Sequence, residues 1–389
     1  MDIRGLLLIN SASVAPGEQA SSSFVPLSLL DVAGKSALQR VAELMRKFGI
    51  QPVTAVIEGN SWAVRSMARN IPELEMAVVP AERFWRTAEN AFNDLAQTGA
   101  ELVVLFKLGA YAEPDFDRFI QFHLDQHCRV SQMSHAGQPL EIFCISASRR
   151  NDAASLFRSQ LAKCRSECPL FEYSGYVNQL TDGHDLRQFA IDIVTLRTET
   201  APAGEQIRPG VWVARDAHIE KGARILAPAF VGSRTLVRSG AVITRCTSVE
   251  HHAQIDCGTV VENSTVLPYC YVGAGLELAH SVAGLGKIAN LRRACTVEIH
   301  DEKLIRHIAA TSGNRLLASA ADLVTYVPRQ FWRGLTENFK TPQPDLNTAL
   351  QQTSPTLGHT AGYRAPACNT EVANEFPPNF AVARTNGNQ

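Results

Sequence analysis

Residues 207–267 read IRPGVWVARDAHIEKGARILAPAFVGSRTLVRSGAVITRCTSVEHHAQIDCGTVVENSTVL. In this stretch an aliphatic residue recurs at every sixth position: Ile207, Val213, Ile219, Ile225, Val231, Val237, Ile243, Val249, Ile255, Val261 and Leu267. A run this regular is not expected by chance, so it indicates a structural repeat. After Leu267 the period is lost, because Val272 comes one residue early.

A small residue accompanies the aliphatic one, four positions further on. The series is Ala217, Ala223, Ala229, Thr235, Ala241, Thr247, Ala253, Thr259 and Thr265. A six-residue unit cannot bury its own apolar face, so successive units must stack. The pattern resembles the hexapeptide repeat of left-handed parallel β-helices, in which three hexapeptides form one triangular coil. This resemblance implies three to four coils, and the glycines between positions 273 and 286 favour a further irregular coil.

Composition and charge favour a cytoplasmic protein. The formal net charge of the 389 residues is −1, without long runs of one sign, so no nucleic-acid partner is expected. None of the nine cysteines forms a C-x-x-C pair, which argues against a zinc site or a disulfide framework. The apolar run from Leu6 to Ile9 is too short for a signal peptide, and no run reaches the length of a membrane span.

The first 198 residues alternate between strand-like and helical patterns. Apolar runs predict strands at 3–10, 52–58, 101–106 and 141–146. Helical periodicity predicts helices at about 83–98, 114–125, 150–164 and 183–196, and one more that begins after Lys35. This alternation is typical of an α/β domain of Rossmann-like type with a mostly parallel sheet.

The predicted organisation has five parts. They are an α/β domain at 1–198, a linker at 199–204, the left-handed parallel β-helix at 205–300, a helical extension at 301–340 and a disordered tail at 341–389. The extension contains Phe331, Trp332 and Arg333 in sequence, which could lie on a membrane surface or a partner, or pack back on its own domain.

Four segments resemble the sugar-phosphate nucleotidyltransferases, also called NDP-sugar pyrophosphorylases. That family has a V-A-G-K-P helix start and a helix ending in Gly-Ile; here residues 26–35 read PLSLLDVAGK and residues 48–50 read FGI. Residues 103–110 read VVLFKLGA, where the family has a strand ending in Gly-Asp. Residues 174–180 read SGYVNQL and are similar to the family's Gly-Tyr-Trp-x-Asp-Ile. The resemblance covers residues 1 to about 300 and implies a nucleotidyltransferase fold followed by a β-helix.

The resemblance also shows which charges are missing. Nucleotidyl transfer develops negative charge that Mg²⁺ and basic side chains must neutralise. Here Leu27 stands where the family has its phosphate-binding Lys, and Ala110 and Gln179 stand where it has two metal-binding Asp residues. No Arg occurs between Gly5 and Gln39. We therefore expect a degenerate active site with no catalytic residue, no metal ligand and no cofactor.

Nearby acidic residues leave an alternative open. Glu113, Asp115, Asp117, Asp182 and Asp185 could rebuild a Mg²⁺ site in an active sugar-1-phosphate nucleotidyltransferase. The competing interpretation is that Asp115, Asp182 and Asp185 mark helix starts.

A nucleotide sugar could still bind without turnover. The loop with Ser11, Ser13 and Gly17, together with Gly109, could hold it through backbone N–H groups. The same loop could equally be a flexible polar segment.

Histidines in the repeat suggest a third class of function. Many hexapeptide proteins are acyltransferases with a catalytic His, and His251 and His252 lie within one repeat, with His218, His280 and His300 nearby. Paired histidines on a solvent-facing edge are also common as plain polar surface.

The leading hypothesis is a nucleotidyltransferase-like regulatory or scaffold subunit in sugar-nucleotide or surface-polysaccharide metabolism. Its expected partners are an NDP-sugar ligand and either further copies of itself or an active pyrophosphorylase subunit. The alternatives are an active sugar-1-phosphate nucleotidyltransferase, which would need Mg²⁺, and a hexapeptide acyltransferase.

Overall fold

A computed structural model of the chain describes residues 1–10, 26–59, 64, 71, 74–147, 157, 168–284 and 286–308. The predicted binding residues Ser11, Ser13 and Gly17 lie outside the described residues, as do most of the predicted helix at 150–164 and the predicted tail. Met1–Thr311 form one compact unit, and the second unit, Ser312–Gln389, is outside the described part. Among the described residues, no helix has both the length and the apolar character needed to cross a membrane.

The described elements run in the following order. The helices are α1 (Ala37–Lys47), α2 (Ala81–Gln97), α3 (Phe116–Asp125) and α4 (Gly183–Val194), with a 3₁₀ turn at Leu27–Leu29. The strands before the repeat are β1 (Ile3–Ile9), β2 (Asp31–Val32), β3 (Lys35–Ser36), β4 (Val53–Glu58), β5 (Glu75–Val79), β6 (Leu102–Lys107), β7 (Tyr111–Ala112), β8 (Val130–His135), β9 (Gln138–Ser146), β10 (Leu170–Glu172) and β11 (Val177–Asn178). The later strands are β12 (Glu205–Arg208), β13 (Val211–Val213), β14 (His218–Ile219), β15 (Arg224–Ile225), β16 (Ala229–Val231), β17 (Leu236–Val237), β18 (Val242–Thr244), β19 (Thr247–Val249), β20 (Gln254–Ile255), β21 (Val260–Glu262), β22 (Thr265–Val266), β23 (Cys270–Val272), β24 (Glu277–Ala279), β25 (Ser281–Gly284), β26 (Lys287–Asn290), β27 (Cys295–Glu298) and β28 (Ile305–His307).

The N-terminal sheet is mixed rather than purely parallel. Its order is β10-β8-β9-β6-β1-β4-β5. Strands β6, β1, β4 and β5 run parallel, whereas β9 is antiparallel to both β6 and β8. The reversal comes from a two-residue turn, because Ala136 and Gly137 both have positive φ and join β8 directly to β9.

Strand β1 lies in the interior of this sheet, between β6 and β4. Leu7 and Ile9 pack in the core on one face, while Leu6 and Leu8 pack with Phe84 of α2 on the other. Leu6, Leu7 and Leu8 are fully buried, so the apolar run is continuous, as expected for a strand covered on both faces. Truncating such a leucine to alanine typically costs about 2–5 kcal/mol of stability.

Strands 18 residues apart pair in parallel throughout most of residues 211–284, which we call the repeat region. Val213 pairs with Val231 and Val231 with Val249, a step of three hexapeptides. Three sheets result: a first sheet of β13-β16-β19-β22-β25 extended by β12, β26 and β27, a second sheet of β14-β17-β20-β23-β28, and a third sheet of β15-β18-β21-β24. The predicted parallel stacking of repeats is therefore confirmed.

The loss of phase near position 265 has a local cause. Thr244 pairs with Glu262 over 18 residues, but Val249 pairs with Val266 over 17, so one residue is missing after Glu262. Val266 rather than Leu267 therefore stacks in the repeat, and the prediction for Leu267 is wrong.

The predictions for Thr265 and Ile207 at the ends of the repeat are also wrong. The inward small residue is Ser264, fully buried, whereas Thr265 lies on the other side of the strand. Ile207 is not stacked either, because it belongs to β12, which runs antiparallel to β13, and it is half exposed.

Successive turns of the repeat place residues with positive φ in columns. One column is Asp216, Arg234, His252 and Tyr269; another is Gly222, Gly240, Gly258 and Gly275. Only glycine adopts this conformation without cost, so the non-glycine column stores backbone strain.

The far end of the repeat region continues in antiparallel strands. Strand β26 pairs with β25 and β27 with β26, while β28 pairs with β23. Residues 305–307 are thus a strand, although helical register was expected from position 302. Parallel stacking with a 17-residue step continues through β23, β24 and β25 as far as Gly284, in line with the further irregular repeat expected there, and the antiparallel strands begin only after Gly286.

The repeat region and the α/β part share one core. Phe230, on the outer side of the first sheet, is fully buried among α/β residues such as Leu38 and Phe189. Leu267, Trp212 and Val282 pack in the same cluster. The first sheet therefore covers α/β core residues.

Candidate functional site

The carboxyl ends of the parallel strands define the candidate site. Strands β1, β4 and β6 end at Ile9, Glu58 and Lys107 on the same edge of the sheet. Open α/β sheets bind ligands at this edge. Gly109 lies in the turn that follows β6, and its N–H donates to the carbonyl of Lys107 at 2.9 Å.

Two positions predicted to be degenerate adjoin one short strand pair. Strands β7 and β11 pair antiparallel, with Tyr111 opposite Asn178 and Ala112 opposite Val177. Ala110 directly precedes Tyr111 and Gln179 directly follows Asn178, so both adjoin the same end of this pair. Ala110 is half-buried and Gln179 is exposed. A methyl group and a neutral amide occupy this place, and neither supplies the charge that a metal ion requires.

The third position predicted to be degenerate, Leu27, is also uncharged. Leu27 begins the 3₁₀ turn and packs as a half-buried side chain against the α/β core. It contributes to packing and offers no cation for a phosphate.

A basic residue at this edge was missed by the sequence analysis. Lys107 ends β6, and its Nζ lies 3.0 Å from the carboxylate of Glu141 on β9. A charged residue at the end of an otherwise apolar strand was the available signal. Because Glu141 neutralises it, Lys107 would meet a phosphate only by exchanging partners.

Glu113 is fully engaged in holding the segment after α4. Its side chain is 3% exposed and accepts hydrogen bonds from the Glu199 and Thr200 N–H groups at 2.6 and 3.1 Å. The hydroxyls of Tyr111 and Thr200 donate to the same carboxylate at 2.7 and 2.5 Å. Burial and the charge of Glu113 raise the pKa of Tyr111, which keeps that hydroxyl a donor.

The remaining candidate acids lie at helix starts. Asp115 accepts from the Arg118 N–H at 3.2 Å as the N-cap of α3, and Asp117 lies in the first turn. Asp182 accepts from the Asp185 N–H at 2.9 Å as the N-cap of α4. Asp185 accepts from the N–H of Thr181. The predicted capping roles of Asp115 and Asp182 are confirmed.

The V-A-G-K segment forms a hairpin in front of α1. Strands β2 and β3 are joined by Ala33 and Gly34, both with positive φ, in a two-residue turn. Ser36 then caps α1 by accepting from the Gln39 N–H at 3.2 Å. Lys35 pairs with Glu43 at 2.6 Å. The helix start predicted from this segment is confirmed, and Lys35 has a structural partner.

Glu250 from the repeat region holds the turn of this hairpin. Its two carboxylate oxygens accept from the N–H groups of Ala33 and Gly34, each at 2.8 Å, and its side chain is fully buried. The Ser248 hydroxyl donates to the same carboxylate. Burial raises the pKa of Glu250, although these donors oppose the change.

Arg40 binds the other side of the same turn. Its guanidinium donates to the carbonyls of Val32 at 2.9 Å and of Ala33 and Ala201 at 3.2 Å. Arg40 is 1% exposed, and this burial lowers its pKa. The peptide groups of the turn therefore lie between a buried cation and a buried anion, with their donors and acceptors facing the opposite charge.

The paired histidines lie beside this junction. His251 Nε2 is 2.9 Å from Asp31 Oδ2, and His251 Nδ1 is 2.9 Å from His252 Nδ1. The ring of His252 stacks on Tyr269 at 4.7 Å. Burial, His251 and the nearby Arg234 lower the pKa of His252 to about 4, so it is neutral at pH 7.

The structure brings His251 and His252 together with Asp31, which the sequence analysis did not foresee. The other histidines singled out in the sequence, His218, His280 and His300, are not part of this group. His280 Nδ1 bonds Asn263 Nδ2 at 2.7 Å, and His218 and His300 are exposed.

A separate cavity of about 540 Å³ lies between α2 and strands β4 and β5. Its lining includes Arg4, Pro52, Thr54, Glu75 and Asp94. Pro52 and Thr54 mark the amino end of β4, opposite the candidate site. Among the described residues, no group of three or more His, Cys, Asp or Glu side chains could hold a metal ion.

No protein-family model matches this sequence, and no curated protein gives a significant match to it.

Proposed function

We propose that this chain is a nucleotidyltransferase-like protein that binds an NDP-sugar without turning it over. It would act as a regulatory or scaffold subunit in sugar-nucleotide or surface-polysaccharide metabolism. The observation that carries this proposal is that two uncharged residues, Ala110 and Gln179, adjoin the same end of the β7–β11 pair, close to the carboxyl end of β6. In the resembling family these two positions hold the metal ligands.

The engagement of the nearby acids supports weak or absent catalysis. Glu113 accepts four hydrogen bonds, and Asp115 and Asp182 cap helices. Recruiting any of them to Mg²⁺ would leave buried or helix-terminal donors without partners, a cost of about 1–3 kcal/mol for each donor. An active sugar-1-phosphate nucleotidyltransferase, which would join a nucleoside triphosphate to a sugar 1-phosphate and release pyrophosphate, is therefore the less favoured proposal.

The proposal includes a left-handed β-helix for the repeat region. The pairing step of 17 or 18 residues and the columns of positive-φ residues support closure of the three sheets around one core. Val231, Ile255 and Val261, one from each sheet, belong to a single apolar cluster, as closure requires. A homo-oligomer, or a complex with an active pyrophosphorylase, belongs to the same proposal.

Titration calorimetry tests the ligand. The purified chain is titrated with NDP-sugars and with nucleoside triphosphates, each with and without Mg²⁺. The proposal expects saturable NDP-sugar binding that Mg²⁺ does not change. Triphosphate binding only with Mg²⁺, followed by release of pyrophosphate on adding a sugar 1-phosphate, would favour the active enzyme.

A second candidate function is acyl transfer at the histidine pair, which the 2.9 Å contacts from Asp31 to His251 and on to His252 favour. In this reaction an acceptor hydroxyl or amine attacks a thioester, a histidine takes its proton, and the departing thiolate is protonated. Acetyl-CoA-dependent activity that is lost in His251→Ala and His252→Ala would support this candidate. Unchanged acetyl transfer in both variants, or no transfer by the wild type, would exclude it.

A further inference from the structure

On the outer side of the third sheet, four residues, one from each strand, form a row with opposite charges at its two ends. Arg224, Val242, Val260 and Glu277 stand in register on β15, β18, β21 and β24. The residues that follow each of them, Ile225, Ile243, Val261 and Leu278, are buried in the repeat core. Because side chains alternate along a strand, the row of four lies on the outer side.

The two charged ends have no ionic partner within the described part of the chain. Arg224 and Glu277 are both exposed, and neither forms a salt bridge with another described residue. Two other pairs of charges in the repeat region do form salt bridges: Arg238 with Glu220 at 2.9 Å, and Arg245 with Glu262 at 2.6 Å. Between Arg224 and Glu277 lie Val242 and Val260, both half-buried.

A second row of residues on the same side of the sheet has a large side chain at one end and a small one at the other. It contains Leu226, Thr244, Glu262 and Ala279. Thr244, Glu262 and Ala279 pair in register, and the N–H of Leu226 donates to the carbonyl of Ile243, which continues the β15–β18 ladder and places Leu226 next to Thr244. Leu226, at the Arg224 end, is 41% exposed, and Ala279, at the Glu277 end, is a methyl group. The surface is therefore positive and bulky at one end and negative and small at the other.

We propose that this face binds the same face of a second copy of the chain around a two-fold axis parallel to the strands. Such an axis between Val242 and Val260 reverses the row, so Arg224 of each copy meets Glu277 of the other and Leu226 meets Ala279. Strands are about 4.8 Å apart, which puts the row ends about 14 Å apart, and packed sheets are separated by about 10 Å. Arg and Glu side chains together span that gap, while the valines fill its centre.

The charges of Arg224 and Glu277 select this axis. A two-fold axis along the row would instead place Arg224 of one copy opposite Arg224 of the other, and Glu277 opposite Glu277, so none of the four charges would be paired. The strands of this sheet are two or three residues long, so the sheet covers about 10 Å along the strands and about 14 Å across them, well below the area of a standard interface. The dimer is therefore weak, with a Kd in the micromolar range.

This inference deepens the self-association in the proposed function and rests on it. The test of the dimer uses no nucleotide, so a failure of the dimer proposal can be distinguished from a failure of the proposed NDP-sugar binding. Sedimentation equilibrium of the full chain from about 1 to about 200 µM should fit a monomer–dimer equilibrium. Arg224→Glu alone and Glu277→Arg alone should each weaken association at least about tenfold, because every dimer then contains two like-charge contacts.

Mixing the two single variants gives the decisive result. In a mixed pair both contacts again join a Glu to an Arg, so an equimolar mixture should associate about as strongly as wild type. Arg215→Glu, an exposed arginine outside the face with the same charge change, should leave association unchanged. A wild type that stays monomeric, a trimer, a mixture that fails to recover, or equal weakening by Arg215→Glu would overturn the proposal.

Discussion

Glu250 accepts a hydrogen bond from the backbone N–H of Gly34 at 2.8 Å, although the two residues are 216 positions apart. The contact ties the V-A-G-K hairpin, which starts α1, to the repeat region. Arg40 and Glu250 bind opposite sides of the same turn. The hairpin conformation therefore depends on both halves of the molecule.

Glu250→Gln tests this connection. Glutamine offers one acceptor oxygen and one amide donor, so one N–H of the turn would face another donor in a buried site. We expect the free energy of unfolding in urea to fall by about 1–3 kcal/mol. Glu205→Gln, at an exposed strand position, should change it by less than about 0.5 kcal/mol. Equal effects of the two substitutions would refute the structural role of Glu250.

Two glycine substitutions separate backbone strain from close packing. Gly258 has φ of +68° and open space around an added Cβ, so Gly258→Ala should cost only the strain, about 1 kcal/mol. Gly34 has φ of +87°, and its Cβ would lie 2.6 Å from Ala203 Cβ and 2.9 Å from Phe230. Gly34→Ala should therefore lower the unfolding free energy clearly more than Gly258→Ala. The reverse order would contradict the described packing.

The stability of the protein should fall with acid partly through His252. Its pKa is about 4 in the folded state, against 6.5 for an unperturbed histidine, so the folded chain binds fewer protons between these values than the unfolded chain. The contribution is complete above pH 6.5 and is lost as the pH falls toward 4. Because the ring is partly exposed, we expect a loss on the order of 1 kcal/mol.

His252→Asn isolates that contribution, since asparagine tolerates the positive φ of this position. The variant should lose less stability than the wild type between pH 6.5 and 4, as measured by urea unfolding at each pH. Parallel pH curves for the two proteins would show that His252 does not titrate as described.

Charge can be introduced at the positions predicted to be degenerate. Ala110→Asp with Gln179→Asp places two carboxylates next to the same end of the β7–β11 pair, the ligand type that Mg²⁺ prefers. We expect this double variant to gain Mg²⁺-dependent binding of nucleoside triphosphates. Ala110→Asn with Gln179→Asn adds similar volume without charge and should not. If neither variant differs from wild type, these positions do not correspond to the metal ligands of the resembling family.

The regular parts of the fold were predictable because their signals are local. The run at β1, the helix start at Ser36 and the six-residue period each reflect a periodicity that a strand, a cap or a stacked repeat imposes on the sequence. The early arrival of Val272 correctly indicated a missing residue. It did not show that the deletion precedes Val266, because Val266 and Leu267 are both aliphatic and adjacent.

Other features depend on contacts between distant residues and left no local signal. The reversal of β9 follows from the turn at Ala136 and Gly137, which is short enough to pass for part of a strand. The contact of Asp31 with His251 joins residues 220 positions apart. At the candidate site, the uncharged residues at positions 27, 110 and 179 can be read from the sequence, but the pairing of β7 with β11, which Ala110 and Gln179 adjoin, required the structure.

The measurement that tests the central claim most directly is calorimetric titration of the full chain with NDP-sugars and nucleoside triphosphates, in EDTA and in Mg²⁺. A non-catalytic NDP-sugar-binding subunit should bind at least one NDP-sugar equally well in both buffers. It should release no pyrophosphate when a triphosphate and a sugar 1-phosphate are supplied together. Binding that requires Mg²⁺ together with pyrophosphate release, or no binding of any nucleotide in either buffer, would contradict the account.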